Sequence, residues 1–295
     1  MTPAPAVTSL SMLTCKVPAF PAQHARPVPV GDWEHIPATT RGEVDARLTA
    51  HGYAVLEGSA IPDPGAAVSV AEALGLGPVF TPPQYQGRAY VDDGGVTQIT
   101  ADASTAGHPA FGQTTGQHLH TDGTLQRIGE IKTTLMLCAR PAASGGTSQL
   151  FNAAGAFAAL LNADPAAAAA LTAPDVLVRT SNLPDSHGQA SIGPAFAIAD
   201  GRILSRYSVT STDHYDPAAV TSPAALDRAL EFLRDAAQPS TSYYTEVTLT
   251  AGQALLLAND AISHGRAPYQ DSPDAPRMLF RALFTTRCAA TEQTA

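Results

Sequence analysis

At 295 residues, with 44% apolar and 15% charged side chains, the chain suits one large globular domain and excludes a disordered polypeptide. Its formal charge of −9, with no run of Lys or Arg, argues against a nucleic-acid partner. Cys15, Cys138 and Cys288 are too widely spaced for a disulfide framework or a CxxC metal site, and neither a secretory leader nor about 18 consecutive apolar residues occurs, so a cytoplasmic protein without membrane partners is expected.

The Pro-rich, aperiodic residues 1–30 predict a flexible arm, followed by a single domain over 31–295 with structure starting near Asp32. "TTRGEVDARLTAHG" predicts a helix capped by Thr39 or Thr40 and closed at Gly52, "YAVLEG" a strand, and "DPGAAVSVAEALGLG" a second helix. From Tyr85 to Gly116 the Gly, Asp and Thr content predicts turns and a lid that includes Tyr85, Gln86 and Arg88. His108, His187 and His214 read as ordinary loop residues. "EIKTTLMLCARPA" is an apolar strand that stops at Pro141, with Cys138 as a core residue, and "ASGGTSQL" is a turn into another strand. "NAAGAFAALLNADPAAAAALTA" is helical, broken at Pro165, with its Ala run expected on the surface. "SPAALDRALEFLRDAAQ" is an amphipathic helix; "GRILSRYSV", "YYTEVTLTAGQALLLAND" and "RMLFRALFTTR" are strands.

Chemistry enters at "GQHLHTDGTLQ". In a regular strand His120 and Asp122 share a face, and His118 joins it one step earlier. A distal "LLLANDAISHGRAPY" supplies His264. Two imidazoles and a carboxylate suit the facial triad of a non-haem iron(II) oxygenase, while a zinc hydrolase with the same donors stays open. In "PRMLFRALF", Arg277 and Arg281 fall on one face with Leu279 between them, and an apolar strand that buries guanidinium groups calls for anions.

This ordered set, His120-x-Asp122, Gly145-Gly146-Thr147-Ser148, His264 in "HGR" and Arg277-x-x-x-Arg281, resembles the taurine dioxygenase-like TauD/TfdA family of iron(II)/2-oxoglutarate dioxygenases. The resemblance implies a mixed α/β, mainly β fold: a double-stranded β-helix, or jelly-roll, with flanking helices and a core over about 85–287. It implies Fe(II) on His120, Asp122 and His264, 2-oxoglutarate on Arg277 with Ser148 or Thr147, and dioxygen as oxidant. Arg281 would face the primary substrate. From their own positions, His118 on the ligand face and Arg206 in "GRILSRYSV" are expected as further substrate contacts, with a packed histidine and an ordinary sheet position as the alternatives. An aspartate at the carboxylate position favours oxygenation over halogenation.

The expected function is oxidation of a C–H bond in a small polar, carboxylate-bearing metabolite of specialised, natural-product biosynthesis. The alternatives are a non-catalytic, metal-dependent ligand-binding barrel and a zinc hydrolase.

Overall fold

A computed structural model describes residues 15, 17–23, 26–105 and 107–288. Of the expected arm, residues 1–14, 16, 24 and 25 lie outside the described residues. Ordered structure starts earlier than Asp32: Val28–Gly31 is a strand lying parallel to Tyr53–Gly58. Before it, Ala19 N donates to Ala50 O, and Asn152 Nδ2 donates to Pro18 O.

The fold is mixed α/β and mainly β. Its larger sheet has six strands in the order Val28–Gly31, Tyr53–Gly58, Gln253–Ala258, Thr133–Arg140, Met278–Phe284 and Thr97–Ile99. All pairings after the first are antiparallel. Two strands from before residue 85 therefore extend the sheet beyond the expected stretch of 85–287. A smaller antiparallel sheet runs Tyr244–Val247, Ser148–Phe151, Ser263–Arg266 and Gln117–His120.

Period-2 alternation explains how the layers join. Along Gln253–Ala258, Ala254 and Leu256 pack with Leu135, Leu137 and Phe284 beneath helices Ala38–His51 and Pro64–Leu74. Leu255 and Leu257 face the other way, packing with Met136, Leu150, Ile262 and Leu279 between the sheets. A third cluster joins helices Ala153–Ala163, Pro165–Leu171 and Pro223–Ala236 to Phe151, Phe196 and Tyr207.

Two local expectations are corrected. Helix Ala38–His51 starts after Pro37 with no side-chain cap, so Thr39 and Thr40 lie within its first turn, and Thr40 N donates to Pro37 O at 3.0 Å. The Ala run is internal: Ala167, Ala168 and Ala170 are buried, because small side chains let this helix approach the amphipathic helix Pro223–Ala236 closely. None of the described helices is long and apolar enough to cross a membrane.

Leu256 is fully buried in the helix-facing layer. Leu256→Ala should lower unfolding stability by about 2–5 kcal/mol, measured by denaturant titration; a loss below about 1 kcal/mol would contradict this packing.

Candidate active site

His120 and His264 sit opposite one another on neighbouring strands of the smaller sheet, with ring centroids 4.5 Å apart. Gly265 permits that pairing, since a Cβ there would come within 2.6 Å of Gln117 O. Asp122 lies beyond the strand, which ends at His120, so the expected regular alternation through Asp122 does not hold. Asn259 supplies the constraint instead: Asp122 N donates to Asn259 Oδ1 at 2.8 Å, and Asn259 Nδ2 donates to Asp122 O at 3.2 Å and Ile131 O at 3.0 Å. The result brings one donor atom from each of His120, Asp122 and His264 within 4.8 Å of one another.

The electrostatics suit a divalent cation. His120 Nδ1 donates to His118 O at 2.8 Å, which leaves Nε2 as the free ligand atom. Burial, reinforced by His120, pushes the pKa of His264 down to about 3 and keeps its ring neutral. Burial would raise that of Asp122, but Arg281, His264, His120 and the Thr134 hydroxyl outweigh it and hold the carboxyl well below its usual range. Two neutral imidazoles and an ionised carboxylate are a fitting donor set for iron(II). The other such cluster among the described residues, Asp32, Glu34 and His35, is fully exposed and has no comparable enclosure.

The triad opens on a cavity of about 240 Å³ lined by both sheets. Arg277, Leu279, Arg281 and Leu283 all line it, as the alternation along that strand predicts. Arg277 forms no ion pair among the described residues and lies over the Tyr269 ring, 5.3 Å from its centroid. Gly146, at φ +75°, leaves room beside it: an added Cβ would sit 3.5 Å from Arg277 Nε. Ser148 lines the cavity, whereas Thr147 bonds to Thr248 at 2.9 Å on the exposed side. The geometry thus brings Ser148 and not Thr147 to the site.

Arg281 is less free than expected. Its Nη1 donates to Asp122 Oδ1 at 2.5 Å, while Nε and Nη2 are buried without partners. His118 lines the cavity as an exposed residue. Arg206 does not line it; Nη2 instead donates to Thr124 O at 3.1 Å and to Ser191 O at 3.4 Å. The strand ends at Ser205, and Arg206 just beyond it reaches the carbonyl of loop residue Thr124 and that of Ser191 in the strand Ala190–Gly193, and stays off the cavity lining.

Several lining residues escaped the sequence. Arg179 donates from Nη1 and Nη2 to the hydroxyl and carbonyl of Thr121, between the two ligand positions, and pairs with Asp213. Arg266 donates to Gln113 O and Thr115 O. Of the three residues expected in a lid, Tyr85 lines the cavity, joined by His108 and Phe111, while Gln86 and Arg88 lie off it, Arg88 paired with Asp185. "HGR" adjoining a predicted ligand was the available signal for Arg266. Nothing local marked the others.

The family model for taurine catabolism dioxygenase TauD, TfdA family, matches residues 16–283. A uridine-5′-phosphate dioxygenase from an Amycolatopsis species is 39% identical over 244 residues, covering 82% of this chain and 88% of the relative. One of the same name from a Streptomyces species is 36% identical over 249 residues, covering 84% and 85%. Among solved structures, an asparagine oxygenase in complex with Fe(II), hydroxyasparagine and succinate aligns with a TM-score of 0.62 at 19% identity, covering 85% of this chain and 81% of that one. At that identity the last likeness speaks to the fold alone.

Asn259→Ala should leave Asp122 N, Asp122 O and Ile131 O unpaired in a buried setting, lowering stability by roughly 2–4 kcal/mol. Urea titration measures it; a loss under about 0.5 kcal/mol would show that Asn259 does not hold the turn.

Proposed function

We propose that this chain, which belongs to the TauD/TfdA dioxygenase family, oxidises a C–H bond of a nucleoside 5′-monophosphate, with uridine-5′-phosphate as the first candidate. The class of chemistry follows from the family: a non-haem oxygenase dependent on iron(II), 2-oxoglutarate and dioxygen. The observation that carries the substrate reading is a cavity lined by Arg179, Arg266, Arg277 and Arg281 against Asp122 as its one acidic side chain among the described residues, in a chain similar to two uridine-5′-phosphate dioxygenases. The anion expected from the sequence is, on this reading, a phosphate rather than a carboxylate.

His120, Asp122 and His264 would hold the iron. Bound there, iron(II) couples decarboxylation of 2-oxoglutarate to succinate with oxidation of the substrate by dioxygen. Arg277 takes the far carboxylate of 2-oxoglutarate, because a buried guanidinium without a carboxylate partner is best satisfied by a bidentate anion; Ser148 adds a hydroxyl. Arg281 has one donor fixed on Asp122, which orients that carboxylate. Tyr85 and Phe111 cover the guanidinium, 5.6 and 4.9 Å from its carbon to the ring centroids, and exclude water from this wall. The two sheets around the cavity support a jelly-roll core within a single domain that takes in the strand Val28–Gly31. Three free cysteines support a cytoplasmic setting.

The test is succinate formation by the iron(II)-loaded enzyme with and without uridine-5′-phosphate. Stimulation with matching nucleotide oxidation is expected, and a succinate rate indifferent to every nucleotide would overturn the substrate reading. Two variants probe the roles separately. His120→Ala or His264→Ala should lose stoichiometric iron(II) binding in anaerobic titration; retention of wild-type affinity would reassign the ligands. Arg277→Leu should raise KM for 2-oxoglutarate by roughly 30-fold or more, equivalent to about 2 kcal/mol or more of a desolvated charge-assisted contact. An unchanged KM in the folded variant would move that carboxylate elsewhere.

A further inference from the structure

His108 lies outside every motif, yet its surroundings are those of a built contact. Ala110 N and Phe111 N both donate to its Nδ1, at 3.1 and 3.0 Å. A nitrogen that accepts two backbone N–H groups carries no proton, so the neutral ring holds its hydrogen on Nε2. The ring stacks on Phe111 with centroids 3.6 Å apart and planes 4° from parallel, and Tyr85 and Tyr90 flank it at 6.0 and 5.4 Å. Tautomer and orientation are therefore both fixed.

The Nε2–H donor so defined is buried without an acceptor, in a side chain of a residue only 6% exposed. An unsatisfied buried donor is costly and calls for a partner. His108 lines the cavity that holds the triad. Phe111, which carries its ring, also lies under the Arg281 guanidinium, whose Nε and Nη2 are likewise without partners. Three buried donors without a hydrogen-bond partner thus lie along one aromatic wall of the cavity, and a phosphate, with several acceptor oxygens, can satisfy more of them than a single carbonyl can.

We propose that His108 is a substrate-binding residue, donating its Nε2–H to a phosphate oxygen of the nucleotide. The inference rests on the phosphate-bearing substrate argued above and adds the residue that distinguishes the nucleotide from its nucleoside. Burial, with Arg281 and Arg88, depresses the pKa of His108 to about 3, so the ring serves as a fixed neutral donor through the working pH range.

Three substitutions separate this role from the support that His108 gives the loop. His108→Asn keeps an acceptor where Nδ1 caps Ala110 and Phe111, His108→Phe keeps the stack, and neither has a donor at Nε2. His108→Gln carries an amide N–H with a reach close to that of Nε2. The measurement is the dissociation constant of uridine-5′-phosphate and of uridine for the anaerobic iron(II)–2-oxoglutarate enzyme, alongside KM for the nucleotide and for 2-oxoglutarate. The Asn and Phe variants should lose about tenfold or more of the preference for nucleotide over nucleoside, through KM for the nucleotide and not KM for 2-oxoglutarate, and Gln should recover part of it. Equal losses on both ligands, or an unchanged preference, would overturn the assignment of His108 while leaving the substrate reading intact. A wild-type enzyme that does not bind uridine-5′-phosphate would overturn the substrate reading and this assignment with it.

Discussion

The buried pair between Asp122 and Arg281 is the interaction on which the site depends. Asp122 lies two residues past the Gln117–His120 strand of the smaller sheet, and Arg281 lies in the middle of the larger sheet's Met278–Phe284 strand, so their contact joins the two layers at the cavity. Exposures of 7% and 6% make each charge expensive alone. The second carboxylate oxygen accepts from Thr134 Oγ1 at 2.8 Å, again from the larger sheet. The carboxylate is therefore oriented by one sheet and the two imidazoles are presented by the other. Close packing of Leu150, Leu255, Leu257 and Leu279 between the sheets is what brings the three donors together.

Charge explains the rest of the cavity. Although the chain is acidic overall, Arg179, Arg266, Arg277 and Arg281 line a space in which Asp122 is the one acidic wall residue among the described residues. Asp213 offsets Arg179. A divalent ion would add to the remaining positive charge, and dianionic 2-oxoglutarate would not cancel it. A second polyanion restores balance, which is why a phosphate-bearing substrate accounts for the electrostatics better than a neutral one. Burial depresses the pKa of Arg266 to about 10, with Arg277 as the next cause, yet the guanidinium stays charged at neutral pH.

Short-range pattern carried much of the site. His120, Arg277 and Arg281 were brought to one cavity by strand periodicity and burial costs that act locally, and the Gly145-Gly146 turn was legible because its backbone needs φ of +74° and +75°; His264, expected in a loop, lies in the strand Ser263–Arg266. The order of these anchors carried the family. Asn259, Thr134 and Arg179 were not legible, since each acts on Asp122 or Thr121 from a distant segment and nothing in its own neighbourhood reveals the partner. The choice between Thr147 and Ser148 required the register of Ser148–Phe151 against Ser263–Arg266. His108 looked like a loop residue because its loop is irregular; its meaning comes from the aromatic wall. Arg206 follows the last residue of its strand, so the strand pattern does not place it at the cavity.

The measurement that tests the account most directly is a crystal structure of the anaerobic complex with iron(II) and 2-oxoglutarate. The account predicts iron held by His120, Asp122 and His264, with Asp122 still paired to Arg281 and the far carboxylate of 2-oxoglutarate on Arg277 beside Ser148. Iron held by a different set of side chains, or that carboxylate seated on Arg281 with the Asp122 pair broken, would contradict it.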